Sequence, residues 1–312
     1  MSASITVLIA TRNRANSLAK TLESLLSSSN LEQSSWEVIV ADNGSSDNTE
    51  QVVQRFAESR TNVHHLLEIR KGKSHALNAG IAAARGELIA MMDDDVICSP
   101  NYISGIRKTF EAGSVDAAQG RTFLACEGGE PAYLHHDLAM FMGLRDFGDK
   151  PSDLEVNLCG TNSVVRASVF RTVGSYAVEL GAGAVGFAED SEMSQRIRSH
   201  GFRMIYAPDI VVTHQLPHDR ITQGSFRKRY FGLGRSNALR ETLQVPLWYF
   251  GMFVAKQACI QLPLSFWQRI TGRPAEALRS QCRFLEWAGL LVGHWQRWHR
   301  GSRTLQVSEP RR

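Results

Sequence analysis

Three consecutive carboxylates, Asp93, Asp94 and Asp95, end the apolar run Leu88 to Met92 in the stretch GELIAMMDDDVICSP. Adjacent carboxylates at a partly buried edge repel one another and lose hydration, so positive charge or hydrogen-bond donors must compensate them. A helix beginning at Ser99 and Pro100 would use one acid at most, and the three lie four or more residues before it. A hard divalent cation accounts for the cluster better. When only one or two protein carboxylates hold such an ion, water and substrate phosphates complete its shell. A second acidic group, Glu189, Asp190 and Glu192, opens the stretch EDSEMSQRIRSHG. Acids in a first helical turn stabilise the helix, whereas a carboxylate facing a substrate hydroxyl is a proton acceptor, and both readings stand at this point. His214 follows the short run IVVT, where a neutral imidazole serves either as a metal ligand or as a structural residue.

These groups need elements to position them. Apolar runs alternate with helical patterns: ITVLIA then 17–28, WEVIVA then 47–57, NVHHLLEI then 74–84, ELIAMM then 100–110. Repeated strand–helix units with continuous apolar strands predict an α/β fold, a parallel sheet covered by helices on both faces. Ligands of such sheets bind beyond the carboxyl ends of the strands. There the sequence places Thr11-Arg12-Asn13-Arg14, then Asp42 to Asp47 (DNGSSD), then Arg70-Lys71-Gly72-Lys73, and lastly the aspartates. Each loop alone is ordinary turn chemistry. Together they bring acids for a cation, bases for phosphate and short polar groups for sugar or base edges to one crevice. The GKS at 72–74 is not a phosphate loop, because Leu67 stands where that motif needs glycine. The GAGAVG at 181–186 matches a dinucleotide fingerprint literally but lacks a preceding strand, and reads as a mobile loop beside the site. Gly201 ends the helix begun at 189, and FRMIYAP returns as a strand.

A chain of 312 residues accommodates one domain of roughly 200–250 residues with an appendage. Hydrophobic content of 43% with 21% charged residues argues against disorder and against a multi-span membrane protein. Five dispersed cysteines without a CxxC pair suggest a reducing cytosol and no zinc site, and the N-terminus lacks the basic segment of a secretory signal. Net charge is +4 but unevenly spread: residues 220–312 hold 16 Lys and Arg against 4 Glu, a balance of +12, which leaves −8 for residues 1–219. The basic segment also contains Trp248, Trp267, Trp287, Trp295 and Trp298. Its first apolar run, VPLWYFGMFVA, is eleven residues, short of the ~20 needed to span a bilayer, and Pro246 and Pro263 bracket the region. The expectation is a domain at 1–219 followed, at 220–312, by helices lying on an anionic membrane surface, with a helical cap on the core as the alternative. No nucleic-acid recognition module accompanies the basic residues, so nucleic acid is not an expected partner.

The stretches VLIATRNR, VIVADNGSSDNT, GKSHALNAGIAAARGE, MMDDDV, CGTNSVVRASVF, GFAEDSEMSQRIRSHG and APDIVVTH, in that order, resemble the family 2 glycosyltransferases over about residues 4–240. The resemblance implies a GT-A fold, a Rossmann-like, mostly parallel sheet flanked by helices, with a C-terminal helical appendage. It implies an inverting sugar transferase that uses a nucleotide-diphosphate sugar, UDP- or dTDP-linked, and a divalent cation, Mg²⁺ or Mn²⁺. By the same resemblance, Thr11 and Asp42 grip the nucleobase. Arg14, Lys73, Asp93 and Asp94 bind the rest of the nucleotide, and Asp95 and Asp93 with His214 hold the metal. Asp190 matches the general base, with Glu189, Glu192 and Asn78 in support. Asn43 and Glu192 depart from the commoner aspartates, and no processive QxxRW motif is present, which implies single additions. The expected acceptor is a glycan or a lipid-linked glycan in cell-surface polysaccharide or glycolipid synthesis, at the cytoplasmic face of the cell membrane. A nucleotidyltransferase would carry a glycine-rich loop where ATRNRAN stands, and a non-catalytic nucleotide-sugar-binding protein would lack Asp190.

Overall fold

The computed structural model describes residues 4–28, 36–111, 113–240 and 247–299. Four strands and their crossover helices come first: β1 (Ile5–Thr11), α1 (Ala15–Ser27), β2 (Trp36–Asp42), α2 (Thr49–Ser59), β3 (Val63–Leu67), α3 (Lys73–Ala83) and β4 (Leu88–Met92). They pair in parallel in the order β3-β2-β1-β4. Alternation along each strand divides the core in two. Val7 and Ile9 of β1 pack toward Leu18, Leu22 and Leu25 of α1, whereas Leu8 and Ile39 face Ala76 and Leu77 of α3. Both faces of β1 and β4 are therefore buried, as continuous apolar runs require.

The second half departs from a parallel sheet. After β5 (Val96–Cys98) and α4 (Tyr102–Glu111) come β6 (Ala117–Cys126), α5 (His136–Phe141), the two-residue β7 (Ser152–Asp153), β8 (Asn162–Arg166), α6 (Ala167–Val173), α7 (Glu189–Ser199) and β9 (Met204–Leu216). Strand β8 inserts antiparallel between β4 and β6, with Met92 opposite Asn162. An antiparallel neighbour starts where β4 ends, so the loop before β8 arrives beside the aspartates. The stretches FRMIYAP and IVVTH form one strand, β9, whose Pro208, Asp209 and Ile210 bulge opposite the Gly120/Arg121 step of β6. Pairing β9 with β5 sets His214 opposite Val96, next to Asp95.

The basic segment forms a 3₁₀ turn (His218–Ile221) and three helices, α8 (Gln223–Arg240), α9 (Leu247–Ile270) and α10 (Pro274–His299). Phe226 of α8 and Leu278 and Cys282 of α10 pack with Leu134, Leu138 and Leu216 of the α/β body. The cap reading thus holds for these two helices. Pro263 sits inside α9 and does not bound it, while Pro246 lies outside the described residues. Helices α8 and α10 touch through glycines: a Cβ on Gly234 would fall on the Glu286 carbonyl, and one on Gly289 would come within 2.1 Å of the Phe231 carbonyl oxygen. No rotamer relieves a clash with backbone. Gly289→Val is expected to destabilise the protein by about 1–3 kcal/mol, or to detach α10, read as a lowered denaturation midpoint. An unchanged midpoint would mean that the helices are not in close contact.

Candidate active site

The candidate metal ligands meet at the carboxyl end of β4. His214 is buried, and its Nδ1 lies 2.9 Å from the Met142 carbonyl oxygen. A carbonyl only accepts, so Nδ1 carries a proton. Nε2 faces Asp95 Oδ1 at 3.1 Å, and neither atom has another hydrogen-bond partner among the described residues. Positive charge at this point, a proton on Nε2 or a metal ion in its place, satisfies both atoms. Asp93, Asp95 and His214 each offer one ligand atom, all within 4.8 Å of one another. The donor set, two carboxylates and an imidazole, fits Mn²⁺ or Mg²⁺ chemistry. The other Asp95 oxygen accepts from Arg14 at 2.9 Å and from Arg220 at 2.5 Å. Burial raises the Asp95 pKa, but His214 and Arg220 outweigh it and hold the group below the usual carboxylate range.

Each neighbouring aspartate has different partners. Lys73 Nζ is 2.8 Å from Asp93 Oδ1, and Thr161 donates to Asp93 Oδ2 at 2.8 Å. Despite burial, Lys73 and His214 keep Asp93 ionised well below the ordinary range. Asp94 accepts from Thr11 at 2.6 Å, and burial beside Asp95 pushes its pKa up to about 7. The three aspartates, Arg14, Lys73 and Arg220 line a cavity of about 260 Å³. Thr11 and Asp42 are register partners at the ends of β1 and β2. Asp42 does not line the cavity. Its oxygens are taken by the Ser45 N–H at 2.8 Å and by His65 Nε2 at 3.3 Å. Asn43 explains its own departure from aspartate. Its amide donates to the Glu68 and Arg70 carbonyls and accepts from the Gly72 N–H, pinning the loop that delivers Lys73. A carboxylate could not make the two donations.

The second acidic group begins at Ala188, a non-glycine residue at φ +81° that precedes α7. Asp190 Oδ2 accepts from the Gly160 N–H at 2.8 Å, while Oδ1 is buried without a partner among the described residues. A Cβ on residue 160 would press within about 3.0 Å of this carboxylate, which the glycine avoids. Asp190 makes no cap of α7, whose N-terminus has no side-chain cap. Burial raises its pKa, and Lys73 works against the rise. Glu189 lies 3.9 Å from Lys73 Nζ, so the lysine joins the two acidic groups, although Asp190 itself does not line the cavity. Glu192 stands apart, paired at 2.6 Å with Arg196, which holds the Val173 and Ser175 carbonyls. Asn78 is likewise remote, exchanging two hydrogen bonds with the Tyr176 backbone. The 181–186 loop packs beside the site as expected: Ala182 accepts from the Lys73 N–H at 2.8 Å, and Gly183 rests against the Gly72 backbone. Sequence reasoning missed Arg220, Gly160, Thr161 and His65. For Gly160 and Thr161 the only signal was their place in CGTNS; Arg220 had none beyond its charge.

The glycosyl transferase family 2 profile matches residues 6–174. Glycosyltransferase AglE of Haloferax volcanii is 25% identical over 264 residues, covering 81% of this chain and 82% of that protein. The glucosyl-dolichyl phosphate glucuronosyltransferase of the same organism is 25% identical, over 69% of this chain and 70% of its own. Among solved structures, the mannosyltransferase PcManGT from Pyrobaculum calidifontis, in complex with GDP-Man and Mn²⁺, superposes with a TM-score of 0.64. It has 18% identity and covers 96% of this chain and 89% of that one. This likeness establishes the GT-A fold.

Burial and the neighbouring Asp190 push the Glu189 pKa up from 4.5 to about 7. A carboxyl with a raised native pKa stabilises the fold most below pH 4.5, and that contribution is lost as pH rises toward 7. Glu189→Gln does not titrate. Its stability relative to wild type is expected to climb between pH 4.5 and 7, by on the order of 3 kcal/mol, and then to level off. Denaturant titrations across that range measure the difference, and a pH-independent difference would contradict the raised pKa.

Proposed function

Since this chain belongs to glycosyl transferase family 2, we propose that it moves a sugar, with inversion, from a UDP- or dTDP-linked donor to a hydroxyl of a glycan or lipid-linked acceptor. One observation carries the reading. Buried side-chain atoms without hydrogen-bond partners among the described residues occur at two places, Asp95 Oδ1 facing His214 Nε2 and Asp190 Oδ1, and Lys73 pairs with a neighbour of each, Asp93 and Glu189. The first suits a cation and the second a proton in transit.

A divalent cation bound by Asp93, Asp95 and His214 would supply electrostatic stabilisation of the departing diphosphate. The chain's own cations act in the same direction. Arg14, Lys73 and Arg220 surround the cavity and are positioned to receive phosphate oxygens as charge develops on them. Asp190 accepts the proton of the attacking hydroxyl at Oδ1, while the Gly160 N–H holds Oδ2 and fixes the carboxylate plane. Its raised pKa brings the base closer to neutral pH, where proton transfer is most effective. A base on the face opposite the leaving group means a single displacement, hence inversion. The name of the Haloferax glucuronosyltransferase, which specifies a dolichyl phosphate-linked sugar, supports a lipid-linked acceptor here. With it goes a role in cell-surface polysaccharide or glycolipid synthesis, at the cytoplasmic face of the membrane.

Asp190→Asn keeps shape and the Gly160 contact while removing the proton acceptor. Transfer is expected to fall by at least ~100-fold with donor affinity and melting temperature unchanged. Transfer at close to the wild-type rate would move the base elsewhere, with Glu189 the next residue to change. Calorimetric titration of UDP and dTDP, with Mn²⁺ and then with EDTA, tests the cation. Tighter binding with Mn²⁺ is expected in the wild type, and Asp95→Ala is expected to abolish the gain. Equal affinity in EDTA would remove the metal from the reading.

A further inference from the structure

Helix α9 is inside out. Its inward side is aromatic near the start, where Phe250 and Phe253 pack on His294 and Trp287 of α10, and polar toward the end: Ser265 is 3% exposed and bonds Gln281 of α10 at 2.8 Å, and Gln268 accepts from Ser280 at 2.9 Å. Its outward side is apolar, with Trp248, Met252, Ile260, Phe266, Trp267 and Ile270 all between 46% and 68% exposed. These positions recur at intervals of mainly three to four residues and their sums, so they share one stripe along a helix about 36 Å long. A helix at an ordinary protein surface shows the opposite arrangement, and an exposed apolar stripe of this length marks an interaction surface.

We infer that the outward face of α9 docks into the headgroup layer of an anionic lipid surface, with the helix lying in the plane of the membrane. The charge pattern selects this occupant over a second copy of the chain. Helix α9 contains no Asp or Glu, and its one mid-helix charge, Lys256, is exposed beside the apolar stripe. Pairing two α9 faces would enclose two ammonium groups with no carboxylate on either helix to meet them, which is costly. At a lipid surface the same lysine extends to anionic headgroups while its methylenes stay against apolar neighbours. Aromatic residues mark both ends. At one end Phe250 stacks on His294 of α10 at 4.3 Å, and the residues close to this pair in sequence, Trp248, Tyr249 and Trp295, are exposed. At the far end Arg273 lies over the Trp267 ring at 5.5 Å. Tryptophan with arginine is the pairing favoured at a membrane–water boundary. No helix among the described residues is long and apolar enough to cross a membrane.

Helix α10 packs on α8, and α8 follows the turn that carries Arg220. Docking α9 therefore fixes the orientation of the cavity to the lipid surface. The inference shares the lipid-linked acceptor with the proposed function only as its purpose, because docking needs neither donor nor catalysis.

The test is co-sedimentation of the full chain with vesicles of phosphatidylcholine alone and of phosphatidylcholine with phosphatidylglycerol, at low and high salt, without nucleotide. Binding at least about tenfold tighter to the anionic vesicles, weakened by salt, is expected. The exposed double variant Ile260→Glu/Phe266→Glu is expected to lose that binding by at least tenfold. It should retain the wild-type melting temperature and transfer to a water-soluble acceptor. Wild-type protein that stays in the supernatant with both vesicle types overturns the inference. So does a wild-type dimer that the double variant converts to monomer without any vesicle binding, since the face would then belong to a second copy. Loss of transfer in Asp190→Asn with vesicle binding intact bears on the catalytic reading alone.

Discussion

Three adjacent charges at the end of β4 constrain everything around them. Leu88 to Met92 are fully buried, so the chain delivers Asp93, Asp94 and Asp95 to a rim where water solvates them poorly. Ionised carboxylates persist there only if each finds its own compensation. Asp93 takes Lys73 from α3 and Thr161 from the loop before β8. Asp94 takes Thr11 from β1, and Asp95 takes Arg14, Arg220 and the His214 ring. Strand order, crossover lengths and the antiparallel insertion of β8 can be understood as the way to bring these partners to one rim.

The compensation is deliberately incomplete at the functional atoms. Asp94 is neutral or charged near pH 7 according to its surroundings, and Asp95 Oδ1, His214 Nε2 and Asp190 Oδ1 are left without hydrogen bonds. Unpaired buried acceptors cost on the order of 1–3 kcal/mol each, so the fold tolerates them only with compensation elsewhere. Ala188, held in the left-handed region just before the acidic helix, adds to that cost. Lys73 ties the two acidic groups together, and its loop is held by the Asn43 amide and by the backbone of the 181–186 segment.

The C-terminal helices serve two surfaces at once. Glycines let α8 and α10 approach at backbone distance and seat them on the α/β body, while α9 packs Phe250 and Ser265 inward and leaves an apolar stripe outward. A boundary at 219/220 suits the change in charge, but Arg220, the first residue beyond it, reaches Asp95. The basic segment is thereby coupled to the rim that carries the aspartates.

Much of this was legible in the sequence. The four parallel units, the convergence of their loops and the concentration of charge at the aspartates follow from local patterns, because strand periodicity and turn chemistry act over a few residues. Tertiary structure alone decided the rest. The antiparallel sense of β8 depends on which strand edge remains free after β4, and with it came Gly160 and Thr161. The fusion of two short runs into β9 depended on a bulge at 208–210 that keeps both runs paired with β6. Arg220, some 125 residues from Asp95, carries no local signal of that pairing. Nor does composition reveal which side of α9 faces outward. Its apolar residues occur all round the helix, and the packing of Phe250, Phe253, Ser265 and Gln268 against α10 decides which of them face outward.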